Sequence, residues 1–212
     1  MKFSTSRRYL VCLLLLVGGL QALATSVVPM NLVDLTARSS RIFEGVCTTI
    51  SHGTVKDVAG TTDIPVVHYT FTIKDNLRGT EGQTITVSHL GTFQDGRHFF
   101  MKPEWLGIPN YQVGRSYLLF LNQNSVNGLC APMGMVQGVF EIKDQQAYNL
   151  AGNDHILTGM DEALAKTAYG ELRAGVAAKN GQGGLPLAQL QNLVRDLMAG
   201  RVTAPTREEM AQ

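Results

Sequence analysis

The chain has 212 residues, 44% of them hydrophobic and 17% charged, with 18 Lys and Arg against 17 Asp and Glu. Removing an expected export signal that carries three basic residues and no acidic one leaves fifteen against seventeen, a net charge of −2. A near-neutral chain without a basic cluster has no electrostatic footprint for nucleic acid or for anionic lipid, which excludes both as primary partners.

Lys2, Arg7 and Arg8 form a positive start, and "LVCLLLLVGG" follows as an apolar stretch. Ala22 and Ala24 then place small residues at −3 and −1 of a cleavage site. Residues 1–24 are expected to leave as a signal peptide, with Thr25 as the mature N-terminus. The apolar run is shorter than the roughly 20 residues of a membrane span, so no stable membrane anchor is expected after cleavage. "SRRYL" fits a twin-arginine signal, whereas the Leu-rich core suits general secretion; either route gives a periplasmic or secreted protein. Cys12 goes with the signal, leaving Cys47 and Cys130. In an oxidising compartment these form one possible disulfide, closing a loop of about 83 residues and worth roughly 4–5 kcal/mol. Two buried free thiols are the alternative.

In chain order, Leu32 and Leu35 fall on a helical spacing, which predicts a short amphipathic helix over 31–40. "RIFEGVCTTISHGTV" is rich in β-branched residues and carries Gly45 and Gly53, as a bent or bulged strand would. In "VVHYTFTIKDNLRGTEGQTITVSH", residues 66–89, Val67, Tyr69, Phe71 and Ile73 alternate with polar residues, and so do Ile85 and Val87. With Gly79 and Gly82 available for positive φ between them, the stretch reads as a hairpin with one buried face. His68 and His89 read as outward-facing or strand-end residues that approach each other across the pair without a third metal ligand.

The run 93–114 is irregular and holds Phe93, His98, Phe99, Phe100, Trp105 (the only Trp) and Tyr111 among Pro103, Gly107 and Pro109. "SYLLFL" lacks alternation, as a strand covered on both faces does. "GLCAPMGMVQGVFEIKD" reads as one or two strands with bulges or close approach at Gly134 and Gly138, and "AYNL" as a last short strand. After residue 150 come one imperfect helix or two short pieces, then a Gly-rich joint at 181–184. Leu187, Leu190, Leu193, Val194, Leu197 and Met198 share one face of a final amphipathic helix, beyond which the end reads as frayed. The expected architecture is mainly β: a small closed OB-like barrel over 25–150, with a short N-terminal helix and a helical C-terminal appendage over 151–212.

"FEGVC", "TFTIKDNLRG", "GIPNYQVGRSYLLFL" and "VQGVFEI", preceded by Leu32 and Leu35, span residues 31–143 in a fixed order. In that order they resemble a family of exported bacterial proteins with a netrin-like, OB-type barrel, distantly similar to tissue inhibitors of metalloproteinases. The resemblance implies the barrel and a binding or inhibitory role. Those inhibitors chelate zinc with a mature N-terminal Cys, whereas here Thr25 is the expected N-terminus and Cys47 lies inside the chain, so the mechanism does not carry over.

No Gly-x-Ser-x-Gly, His-Glu-x-x-His or P-loop pattern occurs, and nothing in the sequence calls for a cofactor. The candidate contact residues are His98, Phe99, Phe100, Trp105 and Tyr111, because long irregular loops on rigid scaffolds carry recognition and Trp and Tyr dominate binding hot spots. The competing reading has them plugging the barrel end. The expectation is therefore an exported, non-enzymatic module that recognises a protein or cell-envelope partner, with restraint of an exported protease as a sub-case. A structural envelope protein docking through its C-terminal helix and a hydrolase with an unrecognised site are the alternatives.

Overall fold

The computed structural model describes residues 28–99, 102–165, 169–177 and 183–211, and Asn31 opens the first helix among them. The expected signal with its cleavage residues Ala22, Ala24 and Thr25 lies outside the described residues, as does Phe100. Helix α1 (Leu32–Arg38) starts in a capping box: the Asn31 side chain accepts from the Asp34 N–H at 2.9 Å, and Asp34 accepts from the Asn31 N–H at 3.3 Å. The Asn31 amide also donates to the Thr158 and Pro205 carbonyls, tying the helix start to the far end of the chain.

Strands β1 (Arg41–Lys56) and β2 (Asp63–Arg78) pair antiparallel along their whole length, with register shifts at Ile42/Phe43, Glu44/Gly45 and Cys47/Thr49. Each such bulge bends and twists the strand. Beyond the bends β1 leaves β4 (Ser116–Leu121), which it meets only over Arg41–Val46. β2 continues into β3 (Thr84–Leu90) through a turn in which Gly79 and Gly82 take φ of 68° and 76°. β5 (Val139–Lys143), β6 (Gln146–Asn149) and the two-residue β7 (Leu185–Pro186) complete an antiparallel order β3-β2-β1-β4-β5-β6-β7. Gly138, just before β5, marks a close approach of backbones: a Cβ there would lie 2.4 Å from the Met133 carbonyl oxygen and 2.8 Å from that of Phe120.

The sheet has a core on each face, as the unbroken apolar run of β4 predicts. Ile42, Leu118, Phe120 and Phe140 meet α1 and the helix α4 (Leu187–Met198), whose Leu187, Leu190, Leu193 and Val194 are all buried. Between them lie α2 (Asp161–Ala165) and α3 (Gly170–Ala177), the two short pieces expected after residue 150. The helical region therefore shares a hydrophobic core with the sheet. The chain end is ordered into α5 (Arg207–Met210) by a Thr206/Glu209 capping box, where fraying was expected.

On the other face, Phe43, Phe71, Val87, Tyr117, Leu119 and Val139 form a second cluster with side chains from β1 to β5. In a flat sheet β3 and β5 would stand roughly 19 Å apart, so the sheet is rolled around this cluster. It is not closed: β3 and β7 end the strand order unpaired with each other, because β5 carries the chain away to β6 and β7. A loop reaches across the gap instead. The Asn122 N–H donates to the Ala131 carbonyl at 3.0 Å, and the Cys130 N–H donates to the Ser88 carbonyl of β3 at 2.8 Å.

Cys47 and Cys130 both belong to the second cluster and both are free thiols, so the expected disulfide is not formed. Each sulfur is committed elsewhere. The Cys130 thiol donates to the Asn122 carbonyl at 3.3 Å and accepts from the Arg41 guanidinium at 3.1 Å, while Cys47 lies 4.0 Å from the Thr49 carbonyl. Burial pushes both thiols up, keeping them protonated.

Candidate functional site

The aromatic loop splits between core and surface. Tyr111 turns inward and is 3% exposed, its ring 4.9 Å from Tyr69, 5.1 Å from Phe71 and 5.0 Å from Tyr117. Burial raises its hydroxyl well above the usual range and carries Tyr69 to about 12. His98 and Phe99 are half-buried, with His98 bridged to Thr92, and neither lines the groove beside Trp105. Trp105 goes the other way: it is 72% exposed. Tyr111 thus belongs to the core and Trp105 to the surface.

Trp105 is held out by its local structure. Buried Pro103 begins a 3₁₀ turn, Pro103–Leu106, and Gly107 ends it in the left-handed region at φ 68°. The Lys102 ammonium stands 5.6 Å from the indole ring centroid, a cation–π contact. Beside the turn runs a groove of about 930 Å³, walled by Trp105, Leu106, Met135 and Val136. Its polar rim carries Glu104, Asp154, His155 and Arg207. Met135 holds φ 59°, an uncommon conformation for a residue with a side chain, next to Gly134 at φ 60°. A Cβ on Gly107 would lie 3.3 Å from the Met135 sulfur, so the two groove loops are in contact.

The base of the groove is fixed by Gln137, which is 6% exposed. Its side-chain oxygen accepts from the Met30 N–H at 2.8 Å, and its amide donates to the Val28 carbonyl at 3.1 Å. His155 is mostly buried; its Nε2 has no hydrogen-bond partner, and its Nδ1 lies 3.3 Å from the Asp154 carboxylate. Arg207 and Glu104 give the rim both signs of charge, which suits a polar edge around an apolar wall.

Neither a family model nor a curated protein matches the chain. Among the described residues no three His, Cys, Asp or Glu side chains are placed to hold a metal ion, and no helix is long and apolar enough to cross a membrane.

The residue that the sequence reading misplaced is His89. Its register partner is Val67, whereas His68 pairs with Ser88, so the two histidines lie on opposite faces and cannot share a metal. His68 bonds the Ser88 hydroxyl at 2.7 Å. His89 is 2% exposed and sits edge-on to Tyr69 at 5.5 Å and tilted against Tyr111 at 5.4 Å. Burial drives its ring down to about 4, against a smaller upward pull from the Pro109 carbonyl, and neither ring nitrogen has a well-aligned hydrogen bond. The signal was available: Ile85, Val87 and His89 are two apart and so share a face.

Proposed function

We propose that the chain is an exported, non-enzymatic binding module with an OB-type barrel, and that it recognises a protein or cell-envelope partner through the groove beside Trp105. The observation carrying this reading is the exposure of that indole, 72%, at the mouth of a groove with apolar walls. A Trp left in water while the aromatics of the second cluster are buried is what a contact residue looks like before its partner arrives. The barrel reading is supported by side chains from five strands meeting in one cluster and by the loop contact between Cys130 and Ser88. The export reading rests on the N-terminal sequence, and the netrin-like resemblance on the order of motifs over 31–143.

The reading in which the C-terminal helix docks on a partner has less support, because the apolar face of α4 is already spent on the protein's own core. Restraint of an exported protease remains the sub-case that the resemblance suggests.

The experiment is affinity capture from the exported fraction with the wild type, Trp105→Ala and Trp105→Phe, followed by affinity measurement on the recovered partner. Trp105→Ala is expected to weaken binding roughly 30- to 700-fold, the range of a hot-spot Trp, and Trp105→Phe much less. Equal affinity for all three proteins would remove the groove from consideration. Titration into a panel of zinc proteases decides the sub-case, which fails if micromolar protein leaves every activity unchanged.

A further inference from the structure

We propose that the outer edge of β1, from Ile50 to Lys56, is a self-association surface on which a second copy of this chain pairs antiparallel, about a two-fold axis at Gly53. The register between β1 and β2 is unbroken from Thr49 to Lys56, so successive β1 residues turn their backbone groups alternately towards β2 and away from it. Pro65 fixes the phase. It stands opposite Thr54, has no N–H, and turns its carbonyl to the Gly91 N–H at 2.8 Å. The N–H and C=O of Thr54 therefore point away from β2, and with them those of Ile50, His52 and Lys56. The Asp57 N–H, which donates to the Thr62 carbonyl, keeps the same phase at the end of the strand.

That edge is open. β4 pairs with β1 only as far as Val46, and among the described residues no backbone group bonds Ile50, His52, Thr54 or Lys56 on that side. The loop around Phe93 shares a cleft with His52 and Thr54 but makes no backbone hydrogen bond to them.

A row of unpaired N–H and C=O groups is a template for extended backbone. The chain's own edge fits it because it is self-complementary. Rotation about Gly53 sets Ile50 opposite Lys56 of the second copy and His52 opposite Thr54, so every outward residue meets an outward one. Rotation about His52 would instead run Lys56 into Thr48, which the shift at Cys47/Thr49 leaves out of register. Rotation about Thr54 would leave Ile50 beyond the end of the other strand. No like charges stand opposite each other about Gly53, and the Lys56 ammonium is already 3.0 Å from Asp63. The same rotation carries Val58 of the second copy, 81% exposed, level with Thr48. There the Gly114 N–H donates to the Cys47 carbonyl, and the neighbouring Val113 is 58% exposed. Two valines that each copy leaves in water are thus brought to one place.

The test is sedimentation equilibrium of the purified protein at concentrations up to about 1 mM. A contact this short and polar is expected to dissociate at about 10–100 μM, so the edge stands open in dilute solution. Thr54→Pro deletes an edge-facing N–H without touching the β2 ladder, a place where Pro is tolerated. Each copy loses a bond, so dimerisation is expected to weaken about tenfold or more. The register is read separately. Ser51→Cys in one copy and Val55→Cys in the other face each other with Cα atoms about 4.5 Å apart, within disulfide range. Under mild oxidation a mixture of the two variants is expected to cross-link well ahead of either alone, and this pair decides the matter should Thr54→Pro fail to fold. A monomer at every concentration, a dimer that folded Thr54→Pro leaves unchanged, or a mixture that cross-links no faster than either variant alone would each overturn the proposal.

Discussion

A buried imidazole makes stability depend on pH. Burial holds His89 at about 4 in the folded chain, against an ordinary value of 6.5. Between those values the unfolded chain takes up a proton that the folded chain refuses. Stability is therefore full above about pH 6.5 and falls as pH drops towards 4. The gap amounts to roughly 2–3 kcal/mol by pH 4.5. His89→Phe should lack this contribution, so urea unfolding of both proteins at neutral pH and near pH 4.5 should show the wild type losing roughly 2–3 kcal/mol more. Equal losses would mean that His89 takes up a proton within the fold. This residue was legible only in part: its spacing from Val87 pointed inward, but a histidine at a strand end reads as polar. Trp105 and Tyr111 were not separable at all in sequence, since both are aromatics among Gly and Pro. Only the tertiary fold sends one to solvent and the other to the core.

At the scale of elements, periodicity carried well where one face is apolar and the other wet. The hairpin over β2 and β3, the bulge of β1 at Gly45 and the stripe on α4 follow from spacing and from Gly at the right place, whereas Gly53 stands in regular register and the shift at Cys47/Thr49 has no glycine. The role of α4 did not follow, because an amphipathic helix has the same pattern whether it covers its own sheet or a partner. Here Leu190 is fully buried, and the helix is fastened to the bent hairpin by polar pairs as well. Arg195 donates to both oxygens of Asp75 at 2.7 and 2.5 Å, and Gln191 donates to Glu44 at 2.8 Å. Leu190→Ala should accordingly cost about 2–5 kcal/mol, read as a lower urea midpoint with unchanged slope. Truncation after Asn180 strips cover from Ile42, Leu118 and Phe120 and should abolish the cooperative transition. A truncated chain that still unfolds sharply at the wild-type midpoint would restore the reading of the helices as an appendage. The end at α5 was readable too: Thr206 and Glu209 stand at capping-box spacing, a signal outweighed by the position at the terminus.

Across the whole molecule, the mainly β character was legible, but closure was not, because closure depends on which non-adjacent segments meet. Two halves of the sheet differ in support. Around Leu118, Leu119 and Phe120 both faces are covered, whereas β1 beyond the shift at Cys47/Thr49 meets β2 on one side, β4 no longer reaches it, and Ser51–Thr54 are exposed. Opening free energies should follow that division, since amides in doubly covered strands need global unfolding to exchange and those on a free edge do not. Between the halves, one hydrogen bond from the Cys130 N–H to the Ser88 carbonyl joins the return loop to β3. If the rolled sheet behaves as a barrel in solution, the Cys130 amide should exchange deuterium as slowly as those of Leu118 and Phe120. The edge-facing amides of Thr49–Lys56 should exchange far faster, under conditions where the core is still protonated. A Cys130 amide exchanging as fast as exposed Val126, in the same loop, would show that the gap between β3 and β4 stands open.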